Sequence, residues 1–185
     1  MKIFHAAEGM ARRRNLFGIN TSTALFAIDQ QCKAYVEDEL KVQEEKEICE
    51  HLTLRRVHNP GFSMGVLAEK NAVVRCSSLI SAALISVCRA VPDLLHKGNR
   101  IEKAGLTLSA AGAWSNTYDR LNRKYVVDYI GIRTGNKERD KLTFNLGDFY
   151  LLGGALLTVV GSILPDRKPK KKTGIGAVKE RLRKY

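Results

Sequence analysis

Asp128 and Asp148 are the residues of this chain whose settings first suggest chemistry. Asp128 stands in Tyr125-Val126-Val127-Asp128-Tyr129-Ile130-Gly131-Ile132, a β-branched and aromatic stretch that reads as a short strand or extended segment. Asp148 stands near the leading edge of TFNLGDFYLLGGALLTVVGSIL, which carries no charge from Phe149 to Leu164. A carboxylate near hydrocarbon costs roughly 2.5–3.5 kcal/mol on insertion scales, so an aspartate kept there needs a reason. Two carboxyl groups that share one site do not both ionise readily; one keeps its proton and the other is left as a base. That division of labour can activate water toward a carbonyl. Two aspartates twenty residues apart do not make such a pair by themselves, because most carboxylates are simply solvated. They become one only if other elements carry them to the same place.

The totals bound what those elements can be. A chain of 185 residues suits one domain. Its net charge of +12 and pI of about 9.7 favour an anionic partner, either nucleic acid or the anionic leaflet of a membrane. Aromatics make up 7% and nowhere interleave with basic residues as in single-strand binders, so no nucleic-acid partner is expected. The mean hydropathy of -0.21 looks soluble and conflicts with the hydrophobic run near the C-terminus. Cys32, Cys49, Cys76 and Cys88 form no C-x-x-C pair, and Cys49 with His51 lacks the further ligands of a zinc site, so four unpaired thiols and no metal are expected. The start MKIFHAAEGMARRR is followed by no small-residue cleavage site, and no cleavable signal peptide is expected.

Four stretches are poor in charge: Asn15–Ile28, Ala72–Val91 (interrupted by Arg75 and Arg89), Ala104–Tyr118 and Leu142–Leu164. The last, 23 residues long, matches a hydrocarbon core of ~30 Å at 1.5 Å per residue and alone should stand out on hydropathy. Ala104–Ser115 has the small and hydroxylated composition of helices that pack closely in a membrane. Arg75 and Arg89 lie near the ends of their stretch, where long side chains snorkel to the interface. Arg12-Arg13-Arg14, the loop containing His96, Lys97, Arg100 and Lys103, and the tail RKPKKKTGIGAVKERLRKY are basic, whereas Glu37–Glu50 holds seven acids against Lys41 and Lys46. If all four stretches span, the positive-inside rule puts both termini in the cytoplasm. The acidic stretch then reads as a solvated outer loop. The connection from Asp119 to Lys141 departs from the rule, with six bases to three acids after Arg120.

This topology makes four polar, turn-rich stretches converge on the outer face. The first helix ends there in Ile28-Asp29-Gln30-Gln31-Cys32-Lys33, and the second starts after His58-Asn59-Pro60-Gly61-Phe62-Ser63-Met64-Gly65. The third finishes in Trp114-Ser115-Asn116-Thr117-Tyr118-Asp119-Arg120, and the fourth begins at Phe144-Asn145-Leu146-Gly147-Asp148. Pro60 holds Asn59 extended, with its amide placed either to bond a substrate strand or to shape the turn. Arg120 beside Asp119 reads either as an ion pair at a helix end or as a substrate contact. Gly153-Gly154 reads as a helix-packing surface.

These motifs, in this order, resemble those of the lipoprotein signal peptidases (signal peptidase II), polytopic aspartic proteases of the bacterial cytoplasmic membrane. The likeness runs from about Leu16 to Leu164. IDQQCK resembles the D-x-x-x-K of the family, HNPGFSMG its N-x-G box, SNTYDRLNRKYVVDYI its G-N-x-x-D-R followed by V-x-D-F, and FNLGD its F-N-x-A-D. The resemblance implies an all-α membrane protein, a four-transmembrane-helix bundle with a small extracytoplasmic β/loop region. Residues 1–14 would be a basic cytoplasmic N-terminus, 15–164 the membrane peptidase domain and 165–185 a basic cytoplasmic tail, with the site near the outer face. It implies Asp128 and Asp148 as the catalytic pair, and Asn59, Asn116, Asp119, Arg120 and Asn145 as residues that bind substrate or hold the catalytic carboxylates. Asp29, Lys33 and Gly61 would have structural or positioning roles. The implied reaction is cleavage of the signal peptide from diacylglyceryl-cysteine prolipoproteins in contact with membrane lipids, with no metal or organic cofactor. The chain departs from the pattern at Ser115 for glycine, Tyr129 for phenylalanine and Gly147 for alanine. Two other readings fit the composition: a non-catalytic membrane scaffold of the same fold, and a membrane-anchored basic protein that binds nucleic acid or the ribosome.

Overall fold

The computed structural model describes residues 2–61, 69–94, 99–136 and 139–164. The Phe62–Gly65 end of the second motif, the bases His96 and Lys97, and the tail 165–185 lie outside the described residues. Within them run the helices α1 (Lys2–Glu39), α2 (Asn71–Leu94), α3 (Arg100–Asn122) and α4 (Leu146–Ile163). The strands β1 (Glu45–Cys49), β2 (Leu52–Asn59), β3 (Val126–Ile132) and β4 (Thr143–Phe144) form one antiparallel sheet in that order. The extended stretch expected around Asp128 is β3.

Two of the helices, at Asn71–Val91 and Leu146–Ile163, are long and apolar enough to cross a membrane, each with a mean hydropathy of 1.6. The expectation that the last stretch alone would stand out therefore fails, because the Leu, Ile, Val and Ala residues between Arg75 and Arg89 outweigh the two charges. These helices turn large apolar side chains outward: Leu152, Leu156 and Ile163 on α4, and Ile80, Leu84 and Val87 on α2. Asp29, Lys33, Asn116 and Asp119 are buried. An apolar exterior around a polar interior is what hydrocarbon favours, since polar groups there must be enclosed and paired. Arg89 does not snorkel. Its Nε donates to Thr107 Oγ1 on α3 at 2.7 Å, turning the charge into the bundle.

α3 and α4 run antiparallel and pack through small residues. Gly147, Gly154 and Gly161 recur every seven residues on α4, as Gly105 and Gly112 do on α3. That interval keeps one seam facing its partner. A Cβ on Gly112 would fall on the carbonyl of Gly147, and one on Gly105 on the backbone of Gly154 and Thr158. The ends are tied by Asn99, which caps α3 by accepting from Glu102 N at 2.9 Å and reaches the carbonyls of Gly161 and Leu164 at the end of α4. The Gly153-Gly154 pair divides: Gly154 is buried in the seam, whereas a Cβ at Gly153 would meet only Leu108, at an ordinary 3.6 Å. Gly154→Leu is accordingly expected to cost about 3 kcal/mol through overpacking. Gly153→Ala should stay within about 0.5 kcal/mol of the parent. Thermal or denaturant unfolding in detergent separates the two.

The first helix is longer than its apolar stretch. It does not end at Ile28–Lys33, as read from the sequence, but continues unbroken to Glu39. No glycine or proline interrupts residues 29–39, and Asp29, Gln30, Lys33 and Glu37 find partners outside the helix, so nothing stops it. Its last carbonyls are capped from the sheet: Arg56 Nη1 on β2 donates to Glu37 O and Leu40 O, both at 2.8 Å. The acidic stretch Glu37–Glu50 is largely exposed, as expected of a solvated segment, but it is ordered, running from the end of α1 into the edge strand β1. Glu45 pairs with Arg55 Nε at 2.8 Å and Arg133 Nη2 at 2.5 Å, and Glu47 with Arg133 Nη1 at 2.8 Å. Glu37 clamps the sheet to α1 by accepting from Tyr125 OH at 3.0 Å and Arg123 Nε at 3.0 Å, with His58 Nε2 at 3.1 Å. The His58 and Tyr125 rings stack with centroids 3.9 Å apart. Burial holds the His58 imidazole below its usual value, against the opposing pull of Glu37.

Candidate active site

The site begins at the N-terminus of α4. Asn145 is the N-cap: its Oδ1 accepts from Asp148 N at 3.0 Å, and Asp148 Oδ2 accepts from Asn145 N at 3.1 Å. This reciprocal capping box satisfies two donors that the first turn would leave unpaired, and it places a carboxylate at the positive end of the helix dipole. Part of the reason for an aspartate at the edge of an apolar run is therefore local. The Asn-x-x-Asp spacing carries that signal in the sequence, where it was not read.

The same Asn145 reaches the other aspartate. Its Nδ2 donates to Asp128 Oδ1 at 2.7 Å, and Asn59 Nδ2 donates to Asp128 Oδ2 at 3.1 Å. One fully buried asparagine thus holds both carboxylates, by its side chain on one and its backbone on the other. Asn59 ends β2 opposite Val126 on β3, and its Oδ1 accepts from Gly61 N at 3.1 Å. Gly61 is buried and its carbonyl accepts from Arg120 Nη2 at 3.0 Å. Arg120 Nη1 also donates to Asn116 O at 3.4 Å. Burial, reinforced by the Asp148 charge, pushes the Asp128 carboxyl up to about 7, against the Asn59 and Asn145 amides and the Lys33 charge. A carboxyl so placed still carries its proton just below about pH 7, where an ordinary aspartate has long lost it.

Asp148 is held from α3 as well. Asn116 Nδ2 donates to Asp148 Oδ1 at 2.9 Å, while Asn116 Oδ1 accepts from Lys33 Nζ at 2.9 Å. Lys33 is completely buried between Asp29 Oδ2 at 2.8 Å and Asp119 Oδ2 at 2.9 Å, both also completely buried. Asp29 and Lys33 lie four apart on one face of α1, well inside the helix. Asp119 accepts in addition from Gln30 Nε2 at 3.1 Å, pairs with Arg123, and takes the backbone N–H of Val127 at 3.4 Å, which anchors the start of β3 beside Asp128. The structure thus brings Asp29, Lys33, Asn59, Gly61, Asn116, Asp119, Arg120, Asp128, Asn145 and Asp148 into one connected region.

Several participants were not assigned to the site from the sequence, although Ser115 and Tyr129 were noted there as departures from the family pattern. Gln30 donates to Ser115 Oγ at 2.8 Å and accepts from Arg123 Nη1 at 3.0 Å. The Ser115 hydroxyl donates to Asp29 Oδ2 at 2.5 Å. The Tyr129 hydroxyl donates to Asp29 Oδ1 at 2.9 Å and accepts from Leu146 N at 3.3 Å. Burial and the Asp29 charge push the Tyr129 phenol up, so it remains a donor. Only Arg123, four residues after Asp119, had a spacing signal.

Chemically, the region offers one carboxyl that keeps its proton and a second carboxylate, each fixed by amide donors and joined through Asn145. Such a pair can deliver a proton to a carbonyl oxygen and take one from water. The architecture is that of solved bacterial membrane enzymes. One aligns with a TM-score of 0.68 at 23% identity, covering 84% of this chain and 94% of that one, and another with 0.65 at 23% identity, covering 80% and 92%. The lipoprotein signal peptidase of Moorella thermoacetica is 30% identical over 145 residues, covering 76% of this chain and 89% of the relative. That of Fusobacterium nucleatum is 30% identical over 151 residues, covering 80% and 87%. The family model for signal peptidase (SPase) II matches residues 21–164, nearly the whole of the helical and sheet framework just described, and the chain belongs to that family.

Proposed function

We propose that this chain is a membrane aspartic endopeptidase that removes the signal peptide from diacylglyceryl-cysteine prolipoproteins. The observation that carries the catalytic assignment is the double hold of Asn145 on Asp128 and Asp148. In this reading α1–α4 all span the bilayer, residues 15–164 form the peptidase, and both termini, including the basic segments 1–14 and 165–185, face the cytoplasm. The sheet and the aspartates then lie toward the outer face, among membrane lipids. Asn59, Asn116 and Asn145 act chiefly by holding the carboxylates. Arg120 fixes the Gly61 carbonyl, and Asp119 fixes Lys33.

The chemistry follows from the protonation of the pair. Asp128, protonated, donates to the oxygen of the scissile carbonyl while Asp148, ionised, takes a proton from the attacking water. A C–O bond forms as the carbonyl becomes a gem-diol. On collapse the C–N bond breaks, Asp148 gives its proton to the leaving amine, and Asp128 recovers one from the diol. Both groups return to their starting states without a metal or cofactor. The lipidated cysteine becomes the new N-terminus of the product.

The direct test uses the full chain in detergent with a diacylglyceryl-modified prolipoprotein and the same precursor lacking its lipid. Release of the signal peptide is expected from the lipidated precursor only. Equal cleavage of the unmodified precursor would contradict the substrate class, and no cleavage of either would favour the scaffold reading.

A further inference from the structure

The three positions at which this chain departs from the family pattern quoted above lie in different elements, yet they meet at one carboxylate. Ser115 on α3 donates to Asp29 Oδ2 at 2.5 Å, and Tyr129 on β3 donates to Asp29 Oδ1 at 2.9 Å. A Cβ built on Gly147 of α4 would stand 3.1 Å from Asp29 Oδ2, 3.1 Å from Asn116 Oδ1 and 2.9 Å from Asn145 Oδ1. We propose that Ser115, Tyr129 and Gly147 form one coupled positioning unit, in which two hydroxyls pin Asp29 and the missing methyl at 147 leaves room for the pinned carboxylate. This deepens the peptidase reading and rests on it for its catalytic consequence.

Asp29 is completely buried, so the orientation of its carboxylate depends on the donors around it. Each oxygen has a hydroxyl donor, and Oδ2 also takes Lys33. From there the hold passes to the catalytic pair by two routes. Lys33 Nζ binds Asn116 Oδ1, and Asn116 Nδ2 binds Asp148 Oδ1, both at 2.9 Å. The Tyr129 hydroxyl takes the N–H of Leu146, which the first turn of α4 cannot satisfy within the helix. Tyr129 also follows Asp128 directly in β3, so anchoring its ring sets the strand that carries the acid. A methyl at 147 would press on Asp29, Asn116 and Asn145 together, and these are the groups that set both aspartates. With glycine at 115 and phenylalanine at 129 the Asp29 carboxylate loses both hydroxyl tethers and can yield to that methyl.

The test is a mutational cycle on the full chain in detergent, read by prolipoprotein cleavage and by thermal unfolding. The variants are Tyr129→Phe, Ser115→Gly, Gly147→Ala, the double variant S115G/Y129F and the triple variant S115G/Y129F/G147A. Gly147→Ala alone is expected to lower kcat about 10-fold or more with KM within about 2-fold, because it misplaces the pair rather than blocking binding. Tyr129→Phe lowers kcat in the same sense. The triple variant is expected to recover kcat to within about 3-fold of the parent and to regain most of the Tm lost by Gly147→Ala, a non-additivity that only coupled residues show. Folding of the triple variant where Gly147→Ala alone fails to fold is the same rescue. A cost of Gly147→Ala that is absent, or that is equal in the parent and in the S115G/Y129F background, overturns the proposal. If the parent chain cleaves nothing, the peptidase reading fails while the Tm cycle still decides the coupling.

Discussion

Asp128→Asn and Asp148→Asn are each expected to lower kcat for prolipoprotein cleavage by about 10³-fold or more, with the protein still folded. An amide can neither take a proton from water nor cycle one to the leaving amine, and each such transfer contributes roughly 10²–10⁴-fold. Both asparagine variants preserve volume, and each keeps one accepting oxygen for one of the two N–H donors that hold the carboxylate it replaces. Loss of activity with little change in unfolding therefore separates chemistry from collapse. Full activity in either variant would reject the catalytic assignment. The pH profile of the parent supplies a second check. In the proposed mechanism activity needs the pair singly protonated, and burial together with the Asp148 charge pushes the Asp128 carboxyl up to about 7. As the pH rises above about 7 the last proton leaves the pair, so kcat/KM should fall, approaching tenfold per unit. A profile flat to pH 9 would show that the retained proton is not used.

Lys33→Met is expected to destabilise the protein by about 3–5 kcal/mol. It leaves Asp29 and Asp119, both completely inaccessible, without the ammonium that sits 2.8 and 2.9 Å from them, and breaking a buried pair from one side strands the remaining charge. Methionine nearly fills the lysine stem, so the loss measures charge rather than a cavity. Adding Asp29→Asn to Lys33→Met should restore part of the stability, because one stranded charge is removed. Activity should not return with it, since Asn116 still lacks the donor that orients its amide toward Asp148. A Lys33→Met variant within about 1 kcal/mol of the parent would mean that water or a shifted side chain replaces the ammonium at little cost.

How much of this was legible in the sequence depends on how local each signal is. The strand around Asp128 was legible because β-branched and aromatic residues crowd a short window. The close helix packing was legible from small residues, although which of Gly153 and Gly154 enters the seam depends on the position of α3. The extent of α1 was misjudged because polar residues at 29, 30, 31 and 33 look like an exit from the membrane. Asp29, Gln30 and Lys33 stay helical because partners on α3 receive them, and Gln31 is exposed on the opposite side. Arg89 was misjudged for the same reason, its partner being Thr107 on α3.

The sequence by itself determined which residues could do the chemistry and in what order they come. Ordered motifs around Asp29, Asn59, Asn116, Asp128 and Asp148, separated by apolar stretches, are local patterns that one chain displays without folding. The capping box Asn145-x-x-Asp148 belongs to the same class. Only the tertiary structure decided that Asn145 would hold both aspartates, and that Ser115 and Tyr129 would converge on Asp29 from 86 and 100 residues away. The physical reason is that a buried polar group must find a donor or acceptor wherever packing brings one. No periodicity or spacing encodes that meeting, because it is created by the helices and the sheet closing around it.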